Sequence, residues 1–326
     1  MITRRSIVSA AALSGLLASP AFRANAQAYP TGPLNLVVPF PPGGGIDAVL
    51  RAMAPKLQER MGKPVVVENR AGGSGVIATN HVVKSSPDGH TILASASLLA
   101  ANPRLFKSLP FDTLKDLQAI NLLFHTPLAL VANPELPARS VAELVALLKQ
   151  KPGEISYAHS GPGSSLHLAA ELFQAMTGTK MNGVVYRGAP QGLTDVMAGH
   201  VALMFADTGT VVAQVADGKV RALGVTSTVR VPAMPAVPTI AETVPGFDAV
   251  GWTLLCVPSA TPGPVVQRLH AEIKAVTAMP DIQDMIVRLG AVPSDGKPPA
   301  ELQKFLASEI DRWGDIIERA GAAKSL

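Results

Sequence analysis

Two hydrophobic periods alternate along the first part of the chain. Short apolar runs are typical of buried strands, and apolar residues at helical spacing predict amphipathic helices. The runs are 34–38, 65–67 and 91–94, and the helical stretches are 46–61 and 75–84. This order predicts a parallel sheet covered by helices. Pro55 lies inside the first helical stretch, so we expect a kink or a break there.

The same alternation of predicted strands and helices begins again near residue 128. Further strands are predicted at 128–131, 155–158, 184–186, 203–205, 221–225 and 252–257. Helices are predicted at 141–149, 164–176, 190–198, 211–216, 264–278 and 300–320. The proline-rich stretch 232–246 predicts a loop with a short helical turn.

The helices at the end of the chain determine the predicted domain organisation. They are amphipathic and need a sheet to cover, while the first part of the chain has few helices of its own. We therefore predict that a second α/β lobe, 126–250, is inserted into a first lobe, 27–125 plus 251–326. The strands 128–131 and 252–257 would be the two crossovers of the hinge.

The first residues have the layout of a secretory leader. Arg4 and Arg5 precede an apolar stretch, 7–19, which is shorter than the ~20 residues of a membrane span. Small residues at 24 and 26 then suit a signal peptidase. We expect residues 1–26 to be a cleaved signal peptide, with an uncleaved anchor as the alternative. Residues 3–7 also resemble a twin-arginine leader, and both export routes stay open.

Charge and cysteine content limit the partners. The leader carries three arginines and no acid, so its removal lowers the formal charge from +4 to +1. No basic stripe remains, and we expect no nucleic-acid partner. No later apolar run is long enough to predict a transmembrane helix, so we expect the mature protein to be soluble. We also expect it to be a monomer. Cys256 is the single cysteine and is expected to be a small buried hydrophobe.

A glycine loop joins the first strand to the first helix. Gly43, Gly44 and Gly45 let the backbone approach a ligand, and the helix N–H groups that follow favour an anion. One interpretation is a plain turn capped by Asp47. Another is a dinucleotide site, because the loop satisfies G-x-G-x-x-A and Glu68 ends the next strand. The third is a carboxylate site, which the proline-stiffened turn and the leader favour over the dinucleotide.

A second loop has the same design. Residues 159–165 follow a strand and open a helix, and they carry the hydroxyls of Ser160, Ser164 and Ser165. These could receive a second anionic end, or the loop could be only a capped helix. His159 and His167 lack a third candidate ligand, so we predict no metal and assign both to packing or solvent. No G-x-S-x-G, H-E-x-x-H or cysteine pair is present, and we predict no catalytic residue and no cofactor.

Several motifs occur together in a fixed order. They are PFPPGGGIDAVLR, VVVENRAGG, PDGHTILAS, SYAHSGPGSSLHLAAELF, VVYRGAPQ, GKVRALGVTS, VPTIAE and LGA. Over nearly the whole mature chain, this sequence resembles the tripartite tricarboxylate transporter substrate-binding proteins, the Bug family. The resemblance implies a two-lobed, type II periplasmic-binding-protein fold that closes like a flytrap, each lobe a mainly parallel sheet flanked by helices. It also implies capture of a small mono- or dicarboxylate, aromatic ones included, for a two-part membrane permease. A receptor for a membrane signalling partner remains an alternative.

The resemblance also implies a set of ligand-binding residues. From the first lobe these are Phe40, Gly43, Gly44, Gly45, Asp47, Ser95 and Ser97; from the second they are Ser160, Gly161, Ser164, Ser165, Arg187 and Asp207. Arg187 could touch the ligand or pair with an acid. The family commonly has a small hydroxyl residue before the aspartate, where this chain has Ile46. If Ile46 faces the cleft, the pocket is more apolar and suits a larger or aromatic carboxylate.

Overall fold

The computed structural model describes residues 29–161, 164–186, 188–319 and 323–324. The predicted signal peptide, 1–26, and Arg187 lie outside these residues. The described chain forms eleven strands, eleven α-helices and short 3-10 turns at Gly73–Gly75 and Ile240–Glu242.

The elements follow one another in three parts of the chain. The first part contains β1 (Leu34–Val38), α1 (Gly45–Met61), β2 (Val65–Asn69), α2 (Val76–Val83), β3 (Thr91–Ala96), α3 (Leu98–Leu105), α4 (Thr113–Asp116) and β4 (Leu117–Thr126). The middle part contains β5 (Leu128–Ala132), α5 (Val141–Gln150), β6 (Ser156–His159), α6 (Ser165–Thr177), β7 (Asn182–Val185), α7 (Ala189–Met197), β8 (Leu203–Asp207), α8 (Thr208–Ala216) and β9 (Arg221–Val225). The last part contains β10 (Gly251–Pro258), α9 (Gly263–Thr277), α10 (Pro280–Arg288), β11 (Val292–Pro293) and α11 (Pro299–Arg319).

The strands form two sheets, which confirms the predicted two-lobed α/β architecture. The first sheet has the order β11-β4-β10-β3-β1-β2 and the second has the order β7-β6-β8-β5-β9. Both sheets are mixed rather than mainly parallel. β1 is parallel to β2 and β3, but β10 is antiparallel to β3 and β4, and β5 is antiparallel to β8 and β9. In the first sheet, the antiparallel pair β4–β10 joins the strand that leaves this sheet for the second lobe to the strand that returns from it.

The crossover between the lobes differs from the prediction. Residues 128–131 were expected to form a crossover strand, but they belong to β5, which lies wholly in the second sheet. The first crossing is the short connection at Pro127, between β4 and β5. The return runs through 226–250, where the predicted helical turn is present, and ends at β10 in the first sheet.

Helices from both ends of the chain cover the first sheet. On one face α1 and α9 pack with β1, burying Leu50 and Leu269 among others; on the other face α3 and α11 bury Leu99 and Leu306. The closing helices therefore cover the first sheet, as predicted. The second sheet has its own core, centred on β5 and β8. Cys256 is fully buried in β10, as expected.

Of the kink or break predicted at Pro55, the break is wrong, because α1 is continuous from Gly45 to Met61. Met53, Ala54 and Leu57 are buried on its core side, so packing against the sheet compensates for the hydrogen bond that the proline lacks. In the part of the chain that the structure describes, each helix is too short or too polar to cross a bilayer.

Candidate functional site

A cavity of about 880 Å³ lies between the two lobes. This volume falls in the range of sites that bury a small organic ligand. Residues of the first lobe that line it include Phe40, Gly43, Gly44, Gly45, Ile46, Asp47, Ser97, Leu98 and Phe124; those of the second include Leu128, Ser164, Ser165, Leu168, Asp207 and Gly209. Ser95, Ser160 and Gly161, which the sequence also indicated, are described but do not line the cavity.

The glycine loop presents open backbone to the cavity. Gly43 has φ +90°, a conformation that favours glycine, and a Cβ at Gly43 or Gly44 would meet nothing within 4 Å. Gly44 is the N-cap of α1 and makes no side-chain cap, while the Asp47 carboxylate accepts from the N–H of Gly43 and so stabilises the turn that precedes the helix. The N–H groups of the first turn have no intrahelical acceptor, which makes this loop suited to an anion.

Asp47 stabilises the glycine loop through hydrogen bonds that its carboxylate accepts. Its side chain is only 4% exposed and accepts hydrogen bonds from the backbone N–H of Gly43, from Nε of Arg51 and from Nδ2 of Asn69, each at 3.0 Å. Asn69 also donates to the carbonyl of Phe40. The hydrogen bond from Arg51, followed by that from Gly43, lowers the pKa of Asp47 to about 2. Asp47 is therefore a charged anchor of the loop, and its oxygens are already engaged.

The acid proposed for a dinucleotide ribose is not at the cavity. Glu68 lies in β2 and pairs with Arg70, Oε1 to Nε 2.7 Å, and both side chains are partly exposed. Glu68 is not among the residues that line the cavity. The geometry of this acid therefore does not support the dinucleotide interpretation.

The serine loop of the second lobe is a capped helix that also faces the cavity. Ser164 is the N-cap of α6; its hydroxyl donates to the carbonyl of Gly161 and accepts from the N–H of His167. Ser165 lines the cavity beside it. The rings of His159 and His167 lie 4.7 Å apart, and burial lowers the pKa of both. No group of metal-binding side chains occurs among the described residues.

Ile46 faces both the cavity and the core. It lines the cavity and is packed against the apolar cluster of the first lobe. The wall of the cavity at this position is therefore apolar. Phe40, Leu98, Phe124 and Leu168 extend that apolar surface.

Asp207 lies at the end of β8, where α8 begins. Its carboxylate faces the cavity from the second lobe, and burial raises its pKa. No hydrogen bond or ion pair joins it to any side chain that the structure describes. Arg288, at the end of α10, is the one cationic side chain among the described cavity residues, and it is exposed.

The lobes meet backbone to backbone beside Asp207. The hydroxyl of Thr208 donates to the carbonyl of Gly290, and a Cβ at Gly209 would lie 2.2 Å from the carbonyl oxygen of Leu289. On its other side, Leu289 comes within 3.8 Å of where a Cβ of Gly45 would be. Leu289 thus separates the glycine loop from the start of α8.

Two buried tryptophans form the back of the cavity. Trp252 and Trp313 both line it, and their indole N–H groups donate to Glu309 at 2.6 and 3.1 Å. Arg312 pairs with Glu309 and also donates to the carbonyls of Asp248 and Val250, in the segment that returns from the second lobe. Sequence reasoning missed this cluster, because only the spacing of Glu309 and Trp313 on one helix face pointed to it.

Comparison with known proteins identifies the family of this chain. BugT of Bordetella pertussis is 37% identical over 301 residues, which cover 91% of this chain and 92% of BugT. The structure titled "R. palustris Rpa4515 with adipate" is 33% identical with a TM-score of 0.77, covering 90% of this chain and 98% of that one. The structure of the periplasmic binding protein BugD is 32% identical with a TM-score of 0.74, covering 90% of this chain and 99% of that one. The model of the "Tripartite tricarboxylate transporter family receptor" matches residues 49–322, and the chain belongs to that family.

Proposed function

We propose that this protein captures a small organic carboxylate with an apolar body in the periplasm and delivers it to a two-part membrane permease. The observation that carries this proposal is the open start of α1 in a cavity whose walls are mainly apolar. Family membership and the adipate named for Rpa4515 support the ligand class.

The ligand carboxylate would bind at Gly43–Ile46. Backbone N–H groups at a helix start contribute about 0.3–1 kcal/mol each to anion binding when exposed, and up to ~2 when partly buried. The nearby Asp47 does not oppose an anion strongly, because Arg51 pairs with it. The proposed site is therefore neutral overall and rich in donors.

The ligand body would lie on apolar walls. Phe40, Ile46, Leu98 and Phe124 surround the middle of the cavity, and its volume exceeds what a short aliphatic acid fills. Each buried methylene contributes roughly 0.8 kcal/mol, so an aromatic or medium-chain body adds several kcal/mol to the carboxylate contacts. A micromolar dissociation constant needs about −8 kcal/mol, which these two sources together can supply.

The ligand would act by stabilising the closed arrangement of the lobes. We propose that the two lobes move as two rigid bodies about Pro127 and the return segment, 226–250. The first lobe is 27–125 together with 251–326, and the second is 126–250. Only the closed form lets one ligand touch the glycine loop and the second lobe at once, so binding shifts the population towards closure. We further propose that the protein is exported and loses residues 1–26. The mature protein would be a monomer that uses no cofactor and catalyses no reaction.

A pair of substitutions at Gly44 tests the carboxylate site. Gly44 has φ −77°, which both alanine and proline can adopt, and its Cβ would enter open space. Gly44→Ala keeps the N–H, whereas Gly44→Pro removes it. We expect calorimetry with aliphatic and aromatic carboxylates to show near-native affinity for the alanine variant and at least tenfold weaker binding for the proline variant.

The same panel tests the function itself. A bound carboxylate at a hundred times its dissociation constant stabilises the protein by about 2.7 kcal/mol, which thermal unfolding detects. NAD(H) serves as the control ligand and should give no stabilisation. Stabilisation by NAD(H) alone, or by no acid in the panel, would overturn the proposed function.

A further inference from the structure

The carboxylate of Asp207 is an unused acceptor in the wall of the cavity. Two other polar side chains that the second lobe contributes to the lining are engaged: Ser164 bonds within its own loop, and Thr210 donates to the backbone carbonyl of Asp207. Ser165 also lines the cavity, and among the described residues no hydrogen bond joins its hydroxyl to Asp207. Asp207 itself has no partner among the residues described. A partly buried carboxylate without a donor is costly, and a ligand donor at this place would relieve that cost.

The opposite side of the cavity has the opposite character. The start of α1 offers backbone N–H groups, and Arg288 adds a guanidinium on the same lobe. Of the described lining, the first lobe thus contributes the open helix start and the one guanidinium, and the second lobe contributes hydroxyls and the free carboxylate. Apolar residues, Phe40, Phe124 and Leu168 among them, line the space around these two ends.

This polarity has a consequence for ligands that carry two polar ends. A second carboxylate beside Asp207 would place two anions together in a partly buried site, so one of them would have to take up a proton. An ammonium or hydroxyl there would donate to Asp207, and an ammonium would also gain from the opposite charge. Burial also raises the pKa of Asp207, which marks the same desolvation that a donor would offset.

We infer that Asp207 makes the cleft selective for carboxylates whose remote end carries a hydrogen-bond donor, an ammonium or a hydroxyl, over those that end in a second carboxylate. This inference rests on the proposed function and names its ligand class. Asp207 is then the residue that determines specificity, while the glycine loop binds the end common to all ligands.

Two matched ligand series test the inference on the full mature chain by calorimetry at neutral pH. The aromatic series is para-(aminomethyl)benzoate, para-(hydroxymethyl)benzoate, para-methylbenzoate and terephthalate. The aliphatic series is ε-aminocaproate, ε-hydroxycaproate, caproate and adipate. Within the series that binds, we expect the amine to bind at least tenfold more tightly than the dicarboxylate and the alcohol to bind more tightly than the methyl-ended acid.

Two variants assign that preference to one side chain. Asp207→Asn should weaken binding of the amine at least tenfold and leave the dicarboxylate unchanged or tighter. Asp217→Asn, at the exposed far end of α8, is the matched control and should keep the native order.

The outcomes separate this inference from the function on which it rests. A dicarboxylate that binds the native protein as tightly as the amine overturns the inference alone, as does an amine-to-dicarboxylate ratio that Asp207→Asn leaves unchanged. If no acid of either series binds, the proposed function fails and the inference fails with it.

Discussion

The hydroxyl of Thr208 donates a hydrogen bond to the carbonyl oxygen of Gly290, 2.5 Å away, and joins the two lobes at one side of the cleft. Next to it, the backbone of Gly209 lies against that of Leu289. This seam leaves no room for a side chain at residue 209, and it lies beside both proposed ends of the ligand. The fit of the lobes therefore depends on the absence of one methyl group.

Gly209→Ala should hold the lobes apart. The φ of Gly209 is not in the left-handed region, so alanine can adopt the backbone, but its Cβ would lie 2.2 Å from the oxygen of Leu289. We expect ligand affinity to fall at least tenfold, because closure is opposed, with a much smaller change in the melting temperature of the ligand-free protein. Gly263→Ala is the control, since a Cβ there meets nothing within 4 Å. Equal affinities of the two variants would show that the seam does not limit closure.

Asp47→Ala should weaken binding without contact between Asp47 and the ligand. The variant loses all three accepted hydrogen bonds and frees Gly43 to move. We expect at least a tenfold loss of affinity for a carboxylate in calorimetry, with a folded protein by circular dichroism. Asp281→Ala removes an exposed ion pair with Lys56 elsewhere on the first lobe and should bind normally. Native affinity of Asp47→Ala would mean that the loop keeps its shape unaided.

The stabilisation by Asp47 should depend on pH in a defined window. The pKa of its carboxyl is lowered from 3.8 to about 2 in the folded protein. A lowered folded-state pKa gives a contribution that is present above the unfolded value and lost as the pH falls through the folded one. The difference in melting temperature between the native protein and Asp47→Ala should thus be constant above about pH 5 and shrink between about pH 4 and 2. A difference that grows on acidification would contradict this assignment.

Ile46→Thr should change which carboxylates bind. Replacing one terminal ethyl arm by a hydroxyl removes apolar contact worth roughly 1 kcal/mol, so an aromatic carboxylate should bind about fivefold more weakly. A short, polar dicarboxylate should bind as well or better, because the hydroxyl can donate to it. Ile77→Thr is the control, as Ile77 is 54% exposed and lies outside the cavity lining. Parallel losses for both ligand types would show that Ile46 acts through stability instead.

Glu309→Gln should destabilise the fold. The buried carboxylate accepts from both tryptophans and pairs with Arg312, and breaking a buried ion pair costs about 3–5 kcal/mol. The melting temperature should fall by roughly 6–20 °C, at about 2–4 °C per kcal/mol for a large domain. Glu318→Gln on the same helix removes only an exposed contact with Arg104 and should change the melting temperature little. Similar melting temperatures for both variants would falsify this role of Glu309.

The periodicity of hydrophobic residues predicted most of the secondary structure, and the elements that it missed were missed for physical reasons. β4 was missed because its residues are buried on both faces and rich in leucine, so neither alternation nor β-branching marks it as a strand. α3 was missed because Pro103 interrupts its helical pattern. The extent of antiparallel pairing could not be predicted either, since it depends on where the chain crosses between lobes.

The two loops of the candidate site could be predicted because their chemistry is local. Glycines before a helix and serines at an N-cap are visible in a few consecutive residues. Arg288, Leu289 and the pair of tryptophans could not be found in this way, because β10, α10 and α11 bring them to the cavity from distant parts of the sequence. Ile46 was singled out from the sequence, but only the structure shows that it faces the cavity.

Trp252 and Trp313 are the two tryptophans of the chain, and both stand at the back of the cleft. All indole emission from this protein therefore originates beside the cavity, with both chromophores bonded to the same carboxylate. A change in the polarity or closure of the cleft alters the surroundings of every emitting group at once. The receptor thus carries an intrinsic optical probe, with which occupancy of its cleft can be followed without a label.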